Sequence, residues 1–339
     1  MTITHETEPT TTAPVIPAWR RVVGSRVSWM PVLAAVALLL IMFAAAQAYF
    51  GRFITPGVIS SLFVDNAYLI VLAVGMTFVI ITGGIDLSVG AVMAFTGVLA
   101  AFLLTNGVPT ALVVTIMIPT GALFGLLIGI LVQYFDVQPF IASLVGMFLA
   151  RGLCYVLAPR AIKVSDVGVL GLQSTKIGGG GWYITATVII ALAVVIIGAW
   201  VLGYTRFGRT VYAVGGSEQS ARLMGLAVAR TKVLVYVVSG ACAGIAGLLF
   251  TAYTAAGYSL NGIGTELDTI AAVVIGGTLL TGGSGYLVGS LAGVLVYGVI
   301  KTAISFLGVD QSWTRITIGI LLLAFVVVQR LIVARANRR

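Results

Sequence analysis

Long uninterrupted runs of apolar residues constrain this chain more than any other feature of its sequence. A helix needs about 20 residues to cross a hydrocarbon core about 30 Å thick, and most of the runs approach this length. Only helices and closed barrels satisfy their backbone polar groups inside lipid. Ten runs predict an all-α integral membrane protein with about ten transmembrane helices, including broken or short helices near 83–90 and 268–285. The runs lie at 29–50, 60–82, 88–105, 109–133, 139–158, 182–204, 232–256, 268–281, 285–306 and 313–333.

The composition excludes a soluble catalytic domain. Hydrophobic residues make up 60% of the 339 residues and charged residues 9%, whereas soluble domains carry about 25% charged residues. The single histidine, His5, lies in the polar N-terminal segment, and the two cysteines, Cys154 and Cys242, lie in apolar runs without a spacing partner. We therefore predict no enzyme activity, no metal site and no cofactor in this chain.

The basic residues indicate how the chain crosses the membrane. The net charge is +9, and without any nucleic-acid-binding motif the positive-inside rule explains it better than a nucleic acid partner does. Basic residues concentrate before the first run, in the connection 205–232 and at the C-terminus, and ten crossings place all three on the cytoplasmic side. The predicted organisation is a disordered cytoplasmic tail at 1–28, one transmembrane domain at 29–333 and a basic cytoplasmic C-terminus at 334–339.

Two segments fit this topology less simply. The loop 159–181 carries Arg160, Lys163 and Lys176, although the number of crossings places it outside. We interpret it as a small extracellular cap. Residues 44–48 (AAAQA) resemble a signal-peptidase site, but the run before them exceeds the about 7–15 apolar residues of a secretory signal. A retained first helix is therefore favoured over a cleaved one.

A glycine-rich break between two runs is the first candidate site. Gly83 and Gly84 interrupt the helix, and Asp86 is one of very few acids among the apolar runs. An ionisable group in a membrane is costly, so it usually pairs, caps a helix or serves a function, and broken helices can line polar cavities. The alternative is that Asp86 or Ser88 caps the next helix, which does not exclude a place on a translocation pathway.

Other intramembrane polar groups are scattered along the chain. Asp65, Asn66, Arg151, Asp268 and Lys301 are of the type that ion-driven transporters use as relays or ion ligands. Several lie near the ends of predicted spans, where long basic side chains reach the interface. Their scatter disfavours a coupled proton chain.

The sequence also contains a faint internal similarity. Residues 82–90 (TGGIDLSVG) align without gaps to 281–289 (TGGSGYLVG). Transporters are often built from such repeats, but chance similarity between two glycine-rich segments explains the match equally well.

The basic connection 205–232 holds the second candidate site. Between Gly216 and Gly225, Ser217 suits a helix N-cap and Glu218 suits the positive end of the helix dipole, while Gly225 suits a C-terminal stop. This pattern predicts a two-turn helix, too short to cross the bilayer, that fits a partner's groove. An ordinary basic loop at the lipid surface is the alternative that composition alone favours. No lysine follows a glycine, so a Walker-type motif is absent, and ATP would have to bind another chain.

Four motifs resemble the permease subunits of bacterial ABC importers for ribose, xylose, galactose and related sugars. The resemblance extends over nearly all of residues 66–329, and Asn66-Ala67-Tyr68 and Arg151-Gly152 make the chain look similar to the permeases of galactofuranose uptake. The motifs are AVGMTFVI at 73–80 running into GGIDLSVG at 83–90, QPFIASL at 138–144, RFGRTVYAVGG at 206–216 and ELDTIAAVVIGGT at 266–278.

The resemblance implies a permease subunit of the bacterial cytoplasmic (inner) membrane that moves a monosaccharide inward. Its implied partners are ATPase subunits that bind ATP and Mg, a second permease chain, identical or not, and an extracytoplasmic sugar-binding protein. The implied ATPase-coupling residues are Gly215, Gly216, Ser217, Glu218, Ser220, Ala221, Arg222, Met224 and Gly225. We assign the translocation pathway to Asn66, Gly83, Gly84, Asp86, Ser88, Asp268 and Thr278.

Two other transport mechanisms provide alternatives. A secondary sugar or ion symporter would use Asp65, Asp86 and Asp268 as ion ligands. A passive channel would need a continuous pore and no energy source. Substitution of Glu218 separates them, because an importer would lose coupling to its ATPase while a symporter or channel would tolerate the change.

Overall fold

The computed structural model describes the backbone of residues 18–310 and 312–336 and the side chains of residues 30–310 and 312–327. The chain divides into two compact units, Met1–Met30 and Pro31–Arg339. The elements are α1 (Ala18–Phe50), α2 (Pro56–Asp65), α3 (Ala67–Ile81), α4 (Val89–Thr105), α5 (Thr110–Tyr134), α6 (Pro139–Leu157), β1 (Ile162–Lys163), α7 (Val167–Ser174), α8 (Ala186–Tyr204), α9 (Arg206–Gly216), α10 (Glu218–Leu223), α11 (Val228–Thr254), β2 (Ala256–Gly257), α12 (Thr265–Ile275), α13 (Leu287–Leu307) and α14 (Ser312–Ala336).

The first unit contributes the start of α1 to the described chain. Residues 1–17 of the predicted tail lie outside the described residues, and α1 begins at Ala18. The predicted basic C-terminus lies outside them beyond Ala336. The packing discussed below belongs to the second unit.

The helices confirm the predicted fold class. Among the described residues, six helices are long and apolar enough to cross a membrane, namely α1 from Met30 onward, α5, α6, α8, α11 and α13, and α2 with α3 forms a further span bent by 52°. The three other predicted runs form shorter helices: α4 has 17 residues, α12 has 11, and the apolar part of α14 is Ser312–Val327. The expected interruptions are present after α3 and α12, whereas the count of ten crossings stays a prediction.

Helix α3 forms the centre of the second unit. All of its residues are buried, because it is apolar on every side and is packed by α8, α11, α12 and α13. The outer helices instead expose large apolar side chains, such as Leu123 of α5, Phe148 of α6 and Ile196 of α8. This distribution is typical of a protein whose outer surface faces lipid.

Glycines allow α5 and α11 to meet backbone to backbone. Gly121, Gly125 and Gly129 repeat every four residues along α5 and face α11. A Cβ atom at Gly129 would lie 2.9 Å from the backbone of Val233, and one at Gly125 would overlap the carbonyl oxygen of Tyr236. Such regularly spaced small residues let membrane helices approach closely, and this pair of helices has the most extensive contact in the unit.

The two ends of the unit have different structures, which we call the α9–α10 end and the β1–β2 end. Helix α11 has 27 residues, about 40 Å at 1.5 Å per residue, and runs from one end to the other. Its first turn lies beside α10, and β2, which follows its last turn, pairs with β1 in an antiparallel ladder. The segment that we predicted as a cap is thus folded, with α7 and a small sheet that the sequence did not indicate.

Candidate functional site

Helix α10 is built as the sequence predicts. The side chain of Ser217 caps it by accepting a hydrogen bond of 3.2 Å from the backbone N–H of Ser220. Gly225 follows its C-terminus with φ of +73°, a conformation that glycine adopts without steric cost. The helix is confirmed as a six-residue element. Its neighbour α9, capped by Thr205 through the N–H of Gly208 at 3.1 Å, was not predicted.

Glu218 fixes α10 to the long helix α11. Its carboxylate accepts hydrogen bonds from Arg222 of the same helix at 2.6 Å and from Lys232 of α11 at 3.0 Å. Partial burial favours the protonated carboxyl, but the hydrogen bonds from Lys232 and Arg222 outweigh it and lower the pKa of Glu218. Both partners belong to the chain itself, so the carboxylate of Glu218 joins α10 to α11.

The apolar residues of α10 and its C-cap differ in exposure. Ala221 is buried in a small cluster with Val214 of α9 and Val228 of α11. The side chains of Leu223 and of the C-cap Met224 are instead 84% and 66% exposed. Two neighbouring apolar side chains therefore project at the end of a helix that is anchored by the packing of Ala221 and oriented by the ion pairs of Glu218.

The C-terminus of α9 contacts the backbone at both glycine-rich breaks. The backbone N–H of Gly283 donates a hydrogen bond of 2.8 Å to the carbonyl oxygen of Ile81. A Cβ atom at Gly215 would overlap that same oxygen and would lie 2.6 Å from the nitrogen of Gly283. Gly83 and Gly282 have φ of +80° and +83°, as glycine readily does. The two similar segments, 82–90 and 281–289, thus meet each other and α9 at one point.

Asp86 is buried, with 1% of its surface exposed, and its carboxylate has three donors. Oδ1 accepts from the backbone N–H and the Oγ of Ser88 at 2.9 and 2.6 Å, and Oδ2 accepts from the Oγ of Ser239 at 2.8 Å. Ser88 occupies the N-cap position of α4, but its side chain makes no capping bond. The alternative of a side-chain cap is therefore not realised, and a local turn around Asp86 connects instead to α11.

Tyr236 lies on the far side of the same break. Its hydroxyl is buried without a hydrogen-bond partner among the described residues, and a Cβ atom at Gly84 would lie 2.6 Å from it. A side chain at residue 84 would therefore have to displace this ring. Ser239 and Tyr236 were not among the predicted site residues; a serine inside an apolar run was the available signal for the first.

The remaining pathway candidates lie apart from Asp86. Asn66 stands at the bend between α2 and α3, where its Nδ2 donates to the carbonyl of Leu62 at 2.8 Å, and it is 2% exposed. Thr278 is fully buried in the turn after α12. Asp268 instead lines a cavity and accepts a hydrogen bond of 3.1 Å from the hydroxyl of Tyr297. The predicted residues therefore do not form one continuous lining in this structure.

Arg151, one of the scattered polar groups in the apolar runs, has partners on another part of the chain. Arg151 donates from Nη1 to the carbonyl oxygens of Ser259 and Asn261, at 2.7 and 2.6 Å, and so connects α6 to the loop that follows β2. Within the described part of the chain no group of three or more His, Cys, Asp or Glu residues is arranged to hold a metal ion.

Comparison with known proteins identifies the family. Residues 58–326 match the family model described as "Branched-chain amino acid transport system / permease component". The fructose import permease protein FruG of Bifidobacterium longum is 46% identical over 314 residues, which cover 90% of this chain and 92% of the relative.

Two relatives from Escherichia coli support the same assignment. The inner membrane ABC transporter permease protein YjfF is 42% identical over 89% of this chain and 92% of its own length, and the ribose import permease protein RbsC is 34% identical over 89% and 94%. No solved structure matches the chain. The chain belongs to this permease family and is a membrane-embedded permease subunit of the ABC importer type.

Proposed function

We propose that this chain is the transmembrane subunit through which an ATP-driven importer moves a monosaccharide into the cell. The names of two relatives, the fructose and the ribose import permeases, support a sugar as the substrate. Within that class we propose a pentose or hexose, with galactofuranose as the specific candidate that the motifs at residues 66–68 and 151–152 favour.

The observation that carries the proposal is the geometry of α10. Leu223 and Met224 project from it, while Glu218 and Ala221 fix it to α11 and α9. A short, firmly held helix with an exposed apolar tip suits insertion into a groove of a partner protein. In this proposal the ATPase subunit, which binds ATP and Mg, receives Leu223 and Met224, whereas Glu218 acts by holding the helix.

The contact of Gly215 with Ile81 and Gly283 supports a route for coupling. A displacement of α10 moves α9, whose C-terminus adjoins it, and α9 touches the backbone at both breaks. Backbone contacts transmit displacement well because no side chain stands between them to rotate away. The breaks after α3 and α12 are therefore the places where we propose that closure of the ATPases changes the pathway.

Co-purification tests the docking of the ATPase. The chain is used as bait in detergent-solubilised native membranes, and the recovered Walker-type ATPase is quantified for the wild type, for Leu223→Asp and for Val167→Asp. Val167 is a matched control because it is 83% exposed, against 84% for Leu223, and lies on α7. Loss of the ATPase with Leu223→Asp alone supports the proposal; equal recovery with all three chains refutes the docking role of α10.

The remaining partners follow from the same reasoning. We propose that the termini and the α9–α10 end are cytoplasmic, since the basic connection 205–232 lies there. The β1–β2 end would then face outward and receive an extracytoplasmic sugar-binding protein. A second permease chain, identical or different, would complete the pathway. Labelling of Lys163→Cys by a membrane-impermeant thiol reagent in intact cells tests this orientation, and labelling only after permeabilisation contradicts it.

Dependence on ATP separates the proposal from an ion-coupled symporter and from a channel. Proteoliposomes with the complete importer are compared with proteoliposomes that hold an ATPase unable to hydrolyse ATP. The importer accumulates sugar only with the active ATPase. Accumulation that follows an ion gradient instead favours the symporter, with Asp65, Asp86 and Asp268 as its ion ligands. Equilibration without accumulation indicates a channel.

A further inference from the structure

A polar cavity of about 350 Å³ lies between α12, α13 and the first turn of α14. Its position follows from α13, which begins at the α9–α10 end, where the carbonyl of Gly285 accepts a hydrogen bond of 2.7 Å from the hydroxyl of Tyr212. Lys301 lies fourteen residues beyond Leu287, about 21 Å along the helix. The cavity therefore lies toward the opposite end. Its lining consists of Asp268, Tyr297, Lys301, Asp310, Ser312, Thr314 and Arg315.

The lining holds hydrogen-bonding groups that the protein itself leaves unused. Lys301 and Arg315 interact electrostatically with Asp268, yet within the described ranges neither comes close enough to an acid to form an ion pair. The ammonium and the guanidinium therefore keep donors that a polar ligand can use.

The charges of the lining indicate the class of that ligand. Among the described residues of the lining are two acids, Asp268 and Asp310, and two bases, Lys301 and Arg315, so the formal charge of these residues is zero. Such a lining gives no net attraction to an anion or to a cation. It offers carboxylate acceptors together with ammonium and guanidinium donors, and each hydroxyl of a sugar both donates and accepts. A neutral polyol satisfies both kinds of group at once.

We propose that this cavity is a binding subsite for one monosaccharide, held through its hydroxyl groups by Asp268, Lys301 and Arg315 during passage. The inference rests on the proposed function and deepens it, because it places a substrate contact at the opposite side of the unit from α10. The volume lies in the range of small-molecule sites, about 300–1,000 Å³.

Protection from thiol labelling tests the site without using transport as the readout. Ser312→Cys, on the lining, is compared with Val309→Cys, which is exposed in the same loop but does not line the cavity. The wild-type cysteines, Cys154 and Cys242, are buried, so background labelling is low. The probe is D-fructose, with D-ribose and D-galactose in parallel, added to the complete importer with a membrane-impermeant maleimide.

The labelling outcomes separate the subsite from the proposed function. Slower labelling of Ser312→Cys alone in the presence of a sugar supports the subsite. If the wild-type importer accumulates that sugar while labelling is unaffected, or is slowed equally at both positions, the subsite is refuted and the proposed function stands. If the wild-type importer accumulates none of a broad panel of monosaccharides, the proposed function itself fails.

Discussion

The glycine contact between α5 and α11 predicts that one added methyl group has opposite effects at two positions of the same chain. Gly125→Ala places a Cβ atom against the carbonyl oxygen of Tyr236 and 3.0 Å from the Cα of Val237. Both neighbours are backbone atoms, which cannot rotate away, so the two helices must separate. Gly152→Ala on α6 places its Cβ atom in open space, with nothing within 4 Å.

Two contributions determine the expected change in stability: one is common to both variants, and the other applies to Gly125→Ala alone. Replacing a helical glycine by alanine stabilises a helix by about 0.5–1 kcal/mol, and both variants gain this amount. Overpacking costs about 1–3 kcal/mol, and only Gly125→Ala incurs it. We therefore expect Gly152→Ala to be slightly more stable than the wild type and Gly125→Ala to be less stable than Gly152→Ala by about 1–3 kcal/mol.

Thermal unfolding of the purified chain in one detergent, followed by tryptophan fluorescence and by the fraction that stays monodisperse, measures the difference. The shift should be downward for Gly125→Ala and absent or upward for Gly152→Ala. Equal shifts for the two variants would refute the claim that the α5–α11 backbone contact limits the size of residue 125.

Three further predictions concern the elements near α10 and Asp86. Glu218→Gln removes a partly exposed ion pair worth less than about 1 kcal/mol. Because the pKa of Glu218 is lowered, the stability advantage of the wild type is complete above the usual carboxyl pKa of 4.5 and is lost as the pH falls through the lower folded value. Unfolding at a series of pH values measures this loss. Gly215→Ala, with no room for its methyl group, should lower sugar uptake per ATP hydrolysed, whereas Gly203→Ala on α8, with open space around it, should not; equal ratios contradict the coupling route. Ser239→Ala leaves the buried carboxylate of Asp86 one donor short and should lower stability by about 1.5–3 kcal/mol, and an unchanged unfolding midpoint would show that this hydrogen bond contributes little.

The predictable part of this structure is the part encoded in neighbouring residues. The apolar runs determine where helices lie, and the pattern from Ser217 to Gly225 determines α10, because a capping serine, an acid in the first turn and a terminal glycine act within a few residues of one another. The same local reasoning explains why α9 was missed. The glycines and β-branched residues of RFGRTVYAVGG have weak helix preference, and its apolar residues become helical by packing on α8 and α3.

The candidate site was less predictable because its contacts join distant parts of the chain. The bond between Asp86 and Ser239 spans 153 residues, and the contact of Ile81 with Gly283 joins two segments whose similarity alone was inconclusive. Sequence reasoning identified Asp86, Asp268 and the glycines as unusual for a membrane span. It had no means of finding that Asp86 is satisfied internally while Asp268 lines a cavity.

The arrangement of α3 and α13 suggests how the two ends of the molecule communicate. Helix α13 touches α9 near its first residue, through Gly285 and Tyr212, and reaches the cavity at Lys301. Helix α3 ends at the contact of Ile81 with Gly283 and begins beside Asp65, which interacts electrostatically with Lys301. Two rigid helices therefore connect the α9 contact with the cavity. If displacement of α9 reaches the cavity along them, ATP should change the labelling rate of Ser312→Cys in the complete importer, and this change should be smaller when Gly215→Ala is added. A response to ATP that Gly215→Ala leaves intact would mean that the coupling passes through other contacts.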